Sequence, residues 1–554
     1  MARLYCSYIA GVDVASATWL HTIRASAYLN DFMPSLKLRR SLDKGILTDW
    51  QAHPDVLART ALSTDEQLND ALVAAKKAAP AWAGFPLESR LLLGQRVHTE
   101  VLRRRQEFID VLIAEGHPRR LAEWEVAGVL QGTAPESIAL WRRQMYQEQK
   151  IGQRRLILTR KADGVVALSP PQNAAASNSV LGVPALVAGN ALVVKAPRSS
   201  PYGVMFVWRD IIAPILDELG APAGTLNIVC GSSEKILNQW LDSPLVNDIF
   251  YFGGSERGIR LGIDAVTRGK KPILELAGND GCTVWCDADI DRAAEALTEC
   301  FFGSGQICMV PKYAIVHPDI ADQLIDRLSG LARKVLAGLP EDPDTLLSPV
   351  LRTDQFFSYL REATEAGAQI MTGGHRVELD NTVSETGTFV APTVLRVDGL
   401  ARARELAAVR EETFFPLLPV VVPDRNDGDV LEAVIEFING NQYGLRNSLW
   451  TADPGVIDAF VARVHNGGLL KVNDSHIGFV PFLSTHGGTG LTGGPFGELN
   501  YPIVRTSHLQ GISIAEGVQP REAVFASPAT IETTIAAATI MESVSVLPAI
   551  LEEC

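Results

Sequence analysis

The sequence predicts an α/β protein with two consecutive domains, each built around a mainly parallel sheet. The first observation is a regular alternation of short apolar runs with amphipathic segments, which begins at residue 164 and continues to about residue 422. The second is that short loops join these segments, as is typical of βαβ units in a doubly wound sheet. The third is length, because 554 residues exceed what a single hydrophobic core usually supports.

The segment before the alternation is largely helical. Residues 1–46 have no clear period and are left unassigned. A capping box formed by Ser63 and Glu66 predicts a helix start, and the helix is expected to end near Pro80. Helical periodicity then continues through residues 91–116.

The first α/β series has five predicted strands and three predicted helices. The strands are expected at residues 164–170, 191–197, 225–231, 248–254 and 272–278. The helices are expected at residues 200–220, 233–243 and 255–268, the first with Ser200 as its cap and Pro201 at its first position. Ligands of such sheets bind beyond the carboxyl ends of the strands.

A second α/β series follows, with a glycine-rich turn around Cys308 near its start. Its strands are expected at residues 283–286, 313–317, 388–395 and 415–422. Its helices are expected at residues 289–302, at a stretch that ends at Leu336, and at residues 353–368. A cysteine turn beside two consecutive α/β series predicts catalysis in a cleft between domains.

Charge and cysteine content exclude several classes of protein. The net charge of −14 disfavours nucleic acid or an anionic membrane as the main partner, because both need a basic face. The seven cysteines are odd in number and show no disulfide framework, and Cys282 and Cys286 lack the further ligands of a metal site. The longest apolar run, residues 180–194, is broken by proline and glycine, and no signal peptide is evident. We therefore expect a cytoplasmic protein without a metal.

Three residue signals together predict a cysteine-dependent acyl-transfer site. They are Asn173 in PPQN, Glu275 in ELAGN and Cys308 in GQIC. Taken alone, Asn173 reads as a turn former, Glu275 as a cap, and Cys308 as an inert buried thiol. A nucleophilic cysteine needs an oxyanion donor and a base that delivers water to a thioester, and the amide and the carboxylate supply these. No histidine is near Cys308 in the sequence, so a cysteine-protease pairing has no local support.

At this point the sequence resembles the aldehyde dehydrogenase superfamily over residues 61–513. The motifs that carry the resemblance are ELAGN, FFGSGQIC, KAPR, FGGS, EETFFP, NQYGL and GGLLKVN. The resemblance implies a Rossmann-like cofactor domain, an α/β catalytic domain and a small β bridging element. We expect the cofactor domain at residues 47–149 and 164–275, the bridge at 150–163 and 498–515, and the catalytic domain at 276–497, with a tail at 516–554.

The resemblance also implies a role for individual residues. Cys308 would attack the aldehyde, Asn173 and the Cys308 amide would hold the oxyanion, and Glu275 would activate the water that hydrolyses the thioester. The expected cofactor contacts are Lys195, Arg198, Ser255, Glu412 and Phe414. The expected aldehyde contacts are Asn178, Leu181, Ile307, Met309 and Phe482, a mostly apolar set that indicates an aliphatic or aromatic substrate.

Departures from the family pattern affect both ligands. Ala174 and Ala175 stand where the family commonly has Phe-Pro, which predicts an altered aldehyde entrance. Phe415 stands where a glycine is usual, which puts the position of the nicotinamide in question. Arg198 stands where many NAD-using members have a glutamate. An arginine there can pair with a 2′-phosphate, so the cofactor is expected to be NAD or NADP, with NADP favoured.

Two alternatives to a hydrolytic dehydrogenase stay open at this stage. A CoA-acylating relative would not need Glu275, and a nucleotide-binding scaffold would not need all three catalytic residues. The bridging strands imply a homodimer or homotetramer. The tail is rich in Ala, Ser, Thr and Ile, which is typical of a disordered appendage or of a docking segment for a partner.

Overall fold

The computed structural model describes residues 2–424, 429–495 and 497–516. Within these residues the chain forms two compact units. The large unit comprises residues 2–145 and 160–508, and it contains two seven-stranded sheets. The small unit comprises Tyr146–Thr159 together with the residues from Leu509 onward. No described helix is both long and apolar enough to cross a membrane.

The first large sheet is doubly wound. Its strand order is Lys271–Glu275, Asp248–Phe252, Val165–Ser169, Ala191–Pro197, Leu226–Gly231, Ser7–Ile9 and Val12–Val14. The first five strands are parallel. Ser7–Ile9 pairs antiparallel with both of its neighbours, Leu226–Gly231 and Val12–Val14. The chain leaves Val165–Ser169 first toward one edge and later toward the other. The carboxyl end of that strand is therefore the switch point where such sheets bind ligands.

The second large sheet is also mainly parallel. Its strand order is Gln369–Thr372, Thr393–Asp398, Leu417–Val422, Pro311–Val316, Asp280–Val284, Arg446–Trp450 and Leu469–Val472. Only the edge strand Gln369–Thr372 is antiparallel. The strands of both sheets are rich in buried Val, Ile and Leu, as expected when helices cover both faces. The predicted α/β fold, with two mainly parallel sheets, is confirmed.

The helices lie between these strands. The longer ones are Phe32–Asp43, Asp65–Ala83, Leu87–Arg103, Arg105–Glu115, Arg119–Gly132, Pro135–Met145, Ser233–Asp242, Ser255–Thr267, Ile290–Leu297, Ala321–Ala332, Thr353–Glu365, Val430–Asn439 and Pro454–Arg463. Shorter helices are Ala25–Asn30, Ala175–Ser179, Gly182–Ala188, Tyr202–Met205, Ala213–Glu218, Leu400–Glu405, Ala407–Arg410 and Pro502–Arg505. The smaller strands are Arg3–Tyr5, Trp19–Ile23, Val56–Ala61, Arg376–Val377, Phe389–Val390, Tyr443–Gly444 and Thr489–Gly490.

The first predicted helix start is wrong by one residue. Thr64 is the N-cap: its hydroxyl accepts from the Gln67 N–H, and the Gln67 side chain completes the capping box. Ser63 is used elsewhere, because its hydroxyl bonds to Ser7 at 2.8 Å and accepts from the Cys230 N–H at 3.0 Å. The helix continues past Pro80 to Ala83, and the proline lies in its last turn.

Two other predicted helices are interrupted. The segment expected as one helix over 200–220 contains a π-helical stretch, Phe206–Ile212, and its N-cap is Pro201 rather than Ser200. The segment expected over 289–302 changes at Leu297 into a 3₁₀ stretch, Thr298–Gly305, that leads into the Cys308 turn. The apolar periodicity of the sequence does not report such local changes of helix type.

The small unit is a three-stranded sheet in the order Ser507–Ala515, Arg154–Ala162 and Tyr146–Ile151. Its strands lie near the predicted bridge, although residues 498–508 belong to the large unit. The region left unassigned at residues 1–46 supplies two strands to the first large sheet. The predicted tail lies outside the described residues apart from Glu516.

Candidate active site

A cavity of about 470 Å³ lies at the carboxyl ends of the strands of the first large sheet. The three predicted catalytic residues, Cys308, Glu275 and Asn173, all line it. Most of the predicted ligand contacts line it too: Lys195, Glu412, Phe414, Asn178, Leu181, Ile307, Met309 and Phe482. Arg198 and Ser255 are not part of its lining. Residues far apart in the sequence thus meet around one cavity.

The turn before Cys308 has an unusual backbone. Gly303, Ser304 and Gly305 have φ values of 57°, 58° and 67°, which is a left-handed run that includes a residue other than glycine. The Ser304 hydroxyl donates to the Ser348 carbonyl at 2.6 Å and accepts from the Ser348 N–H at 2.9 Å. A side chain at Gly305 would place its Cβ 2.6 Å from the Phe415 carbonyl oxygen. Surrounding backbone therefore fixes this turn, and with it the position of the thiol.

Gly278 connects the turn to two other motifs. Any Cβ at this position would overlap the Cys308 carbonyl oxygen, so the two backbones are in direct contact. The Gly278 N–H donates to Glu412 Oε1 at 2.8 Å. The glycine of ELAGN therefore contacts both the GQIC turn and the EETFFP segment.

Asn173 lies beyond the strand Val165–Ser169, at the switch point of the first sheet. Its Nδ2 donates to the Gln306 carbonyl at 2.9 Å, two residues before Cys308. A carboxamide carries two N–H donors, so the second can point to an oxyanion that forms next to the thiol.

Glu275 ends the strand Lys271–Glu275, and its side chain is buried, with 6 % of the residue exposed. The Asn500 Nδ2 donates to Oε1 at 2.8 Å, and the Gly487 N–H donates to Oε2 at 2.8 Å. Burial raises the pKa of Glu275 to about 7, while the two hydrogen bonds and the charge of Arg505 oppose that rise. A carboxyl that titrates near neutral pH is suited to general base catalysis.

The surroundings of Cys308 favour the thiol over the thiolate. Burial is the main cause that raises the pKa of its thiol to about 12, and the carboxylates of Glu412 and Asp280 add to it. The cations of Lys312 and Arg446 act in the opposite direction. Only the thiolate is a strong nucleophile, so a reaction at Cys308 requires that the thiol give up its proton.

The part of the cavity beyond the first sheet fits a dinucleotide. Lys195 is 2 % exposed, its Nζ donates to Ser233 Oγ at 2.8 Å, and burial lowers its pKa to about 8. The helix Ser255–Thr267 begins at Gly254 without a side-chain cap, so its first N–H groups are available to an anion. An ammonium and uncapped helix amides at one cavity match the ribose and phosphate groups of such a cofactor.

Two predicted cofactor contacts, Ser255 and Arg198, lie outside the lining of the cavity. The Ser255 hydroxyl donates to the Leu491 carbonyl at 2.6 Å, so its hydrogen is committed to the protein backbone. Arg198 is exposed and follows the end of the strand Ala191–Pro197. Arg257, which the sequence did not single out, lines the cavity together with Lys195 and adds a second cation.

Lys312 joins the Cys308 turn to the predicted nicotinamide contacts. Its buried Nζ donates to the Gly305 and Thr413 carbonyls, both at 2.7 Å, and lies 5.3 Å from the centre of the Phe414 ring. Phe415, the departure from the usual glycine, is fully buried, and its ring packs against Phe356 at 5.4 Å. Its bulk therefore points into the core, and Phe414 is the ring that lines the cavity.

The part of the cavity with the predicted aldehyde contacts also has aromatic residues that no sequence motif marked. Trp124 and Phe479 line the cavity and belong with Cys308, Ile307 and Met309 to one apolar cluster. Trp124 lies in the helix Arg119–Gly132, and only the folded chain brings it to the apolar cluster against which Cys308 packs.

The fold and this cavity define an α/β oxidoreductase with a nucleotide-binding domain and a cysteine turn. The model of the aldehyde dehydrogenase family matches residues 48–501. Benzaldehyde dehydrogenase YfmT of Bacillus subtilis is 30 % identical over 449 residues, which are 79 % of this chain and 86 % of that protein. D-glyceraldehyde dehydrogenase (NADP(+)) of Thermoplasma acidophilum is 28 % identical over 75 % of this chain and 82 % of that protein.

Solved structures agree on the fold. The NAD-dependent aldehyde dehydrogenase from Sinorhizobium meliloti superposes with a TM-score of 0.77 at 22 % identity, over 94 % of this chain and 96 % of that chain. The protein belongs to the aldehyde dehydrogenase family. It is an enzyme that oxidises an aldehyde with NAD(P)⁺. The family resemblance inferred from the motifs is confirmed.

Proposed function

We propose that this enzyme converts its aldehyde to the carboxylic acid through a thioester on Cys308. The Cys308 sulfur attacks the carbonyl carbon, and the thiol proton passes to solvent water as the C–S bond forms. The Asn173 amide and the Cys308 N–H hold the oxyanion of the resulting thiohemiacetal. The observation that supports these roles is that Cys308, Asn173 and Glu275 line one cavity.

The bound NAD(P)⁺ supplies the hydride acceptor that this oxidation needs. Lys195 would bind its ribose, the amides at the start of the helix Ser255–Thr267 its pyrophosphate, and Glu412 and Phe414 its nicotinamide half. Glu275 would then take a proton from water as the water attacks the thioester. A carboxylate oxygen has two lone pairs, so each oxygen of Glu275 can keep its present donor and still accept from water.

We infer that the preferred cofactor is NADP. Arg198 offers a guanidinium beyond the same strand that carries Lys195, and no carboxylate stands at its position to repel a 2′-phosphate. The cavity-lining Arg257 adds to the positive charge on this side. The relatives carry names for both cofactors, so the preference needs a direct test.

We infer that the enzyme assembles as a homodimer or homotetramer through the small unit. All residues of the strand Tyr146–Ile151 are exposed, and so are most of those in Ser507–Ala515. Apolar side chains are among them, including Ile151, which is 56 % exposed, and Leu509, also 56 %. Exposed strand edges with apolar residues are surfaces that pair with another chain.

We also propose a reducing cytoplasmic environment. The six cysteines of the described residues are all free, and the mechanism needs Cys308 as a thiol. A docking role for residues 516–554 stays a proposal, because all but the first of them lie outside the described residues.

The test is a kinetic comparison of wild type, Cys308→Ala and Glu275→Gln with an aldehyde panel, each with NAD and NADP. Cys308→Ala should form no reduced nucleotide above background. Glu275→Gln should form about one equivalent per active site in a burst and then turn over slowly, because the thioester accumulates. Full steady-state turnover in Cys308→Ala would overturn the assignment of the nucleophile.

Added CoA separates hydrolysis from acyl transfer to a thiol. The proposed mechanism predicts that CoA leaves the steady-state rate of the wild type unchanged and that the product is the free acid. A rate that depends on CoA, with acyl-CoA as product, would identify the acylating alternative. Nucleotide binding without turnover of any aldehyde would identify the scaffold alternative.

A further inference from the structure

The lining of the cavity next to the nucleophile is aromatic. The rings of Trp124 and Phe479 have centroids 4.7 Å apart and planes inclined by 33°. Both residues line the cavity, and both belong to the apolar cluster that contains Cys308. We call this pair the aromatic wall. Because the two rings line the same cavity as Cys308, they bound space that is open to the carbon skeleton of an aldehyde.

The aromatic wall is fixed in place. The Trp124 Nε1–H donates to the Ile477 carbonyl at 3.2 Å, so its only polar atom is used and its remaining surface is apolar. The Phe479 ring lies directly on Gly128, because a Cβ at that glycine would come within 2.5 Å of the ring. A ring seated on a glycine backbone and beside an anchored indole has little freedom to move away.

Other parts of the lining leave room for a flat group. Ala174, Ser177 and Asn178 are small, and all three line the cavity. Ala174 stands where the family commonly has a phenylalanine. The cavity therefore combines two fixed aromatic rings with a stretch of small side chains.

Phe482 adds a strained aromatic ring at the solvent edge of the cavity. Its φ is 77°, which is rare for a bulky residue, and the residue is 50 % exposed although it lines the cavity. Its N–H donates to Ser137 Oγ at 3.4 Å, and its carbonyl accepts from the Tyr501 hydroxyl at 3.1 Å. Strained backbone of this kind is concentrated at ligand sites, where neighbouring groups maintain it.

We propose that the substrate is an aryl aldehyde, with a planar ring attached to the carbonyl carbon. The ring packs on the aromatic wall, and Phe482 covers it at the solvent edge. Stacked or edge-to-face contacts between rings add to the gain from apolar burial, and a saturated ring does not make them. This inference deepens the proposed function and rests on it for the chemistry at Cys308.

The test compares benzaldehyde with cyclohexanecarbaldehyde, which has the same carbon count but a puckered ring. The wild type should favour benzaldehyde in kcat/KM by about tenfold, mainly through KM, which corresponds to one or two aromatic contacts. Phe479→Leu should reduce that ratio to about threefold or less. The matched control is Phe32→Leu, because this exposed ring on the helix Phe32–Asp43 does not line the cavity. A ratio near one in the wild type would overturn the proposal, as would a ratio that Phe479→Leu leaves unchanged.

A second variant and a second readout separate this inference from the mechanism. Trp124→Phe keeps an aromatic ring and should retain most of the preference, whereas Trp124→Leu should lose it. Calorimetric binding of benzyl alcohol and cyclohexylmethanol to Cys308→Ala reports recognition without turnover and should show the same preference. One outcome would refute the substrate class but support the mechanism. In that case hexanal is oxidised only when Cys308 is present, and neither assay shows a preference for the aryl compound. The opposite outcome would support the aryl site and refute the mechanism. In that case benzyl alcohol binds preferentially, Phe479→Leu abolishes the preference, and no aldehyde is oxidised.

Discussion

Asn500 should set the pH at which the thioester is hydrolysed. It donates the hydrogen bond to Glu275 Oε1 at 2.8 Å, and the Gly487 N–H donates to the other oxygen. The base is active when it is deprotonated, so the hydrolysis rate rises with pH through the pKa of Glu275, which is about 7. Asn500→Ala removes one donor to the charged form, and the pKa must therefore rise further.

The size of the shift follows from the strength of that bond. A hydrogen bond to a charged group contributes about 1.5–3 kcal/mol, and one pKa unit corresponds to about 1.4 kcal/mol. The pKa of Glu275 should therefore rise by about 1–2 units in the variant. At pH 7 the ionised fraction would fall from about one half to between about 9 % and 1 %, which slows hydrolysis about 5- to 50-fold.

The assay is the steady-state rate after the burst of reduced nucleotide, measured from pH 6 to about pH 10. Asn500→Ala should approach the wild-type rate at the alkaline end, because Glu275 is then ionised in both proteins. The control is Asn441→Ala, since that amide donates to the Asn279 carbonyl at 2.7 Å and does not contact Glu275. A rate that falls equally at every pH, with an unchanged midpoint, would refute the reasoning and leave Asn500 with a structural role.

Three further predictions concern the cofactor, the nucleophile turn and the assembly. Arg198→Glu should raise the KM for NADP at least about tenfold relative to the KM for NAD, because a carboxylate repels the 2′-phosphate. Equal changes in the two KM values would contradict a contact between Arg198 and the phosphate. Gly278→Ala should cost about 1–3 kcal/mol of unfolding free energy and reduce turnover, since its Cβ overlaps the Cys308 carbonyl oxygen; a thermal melt and a rate identical to wild type would contradict that. Leu509→Glu should shift the mass measured by light scattering toward the monomer, and an unchanged mass would place the interface elsewhere.

Much of the first sheet could be predicted because its strands are buried on both faces. The strand expected at residues 191–197 is Ala191–Pro197 in the structure, since a continuous apolar run leaves little choice of boundary. The strand Ser7–Ile9 could not be predicted in the same way. It has three residues, and it exists because it pairs with Leu226–Gly231, which is distant in the sequence.

The residues of the candidate site also differ in whether a local sequence signal marks them. Cys308, Glu275 and Asn173 could be predicted because each lies in a recognisable local motif. Trp124 and Asn500 carry no such signal, since one is a tryptophan within a helix and the other an asparagine in a long loop segment. Their importance comes from the groups that they contact, and only the three-dimensional arrangement reveals those contacts.

Lys312 couples the positions of two segments that border the cavity. Its ammonium donates to the Gly305 and Thr413 carbonyls. The segment that leads to Cys308 and the segment that leads to Phe414 are therefore hydrogen-bonded to the same side chain. Because both carbonyls accept from the same ammonium, movement of one peptide would also displace the other. The spacing between the Cys308 turn and the cavity-lining ring of Phe414 is therefore set by the folded protein itself.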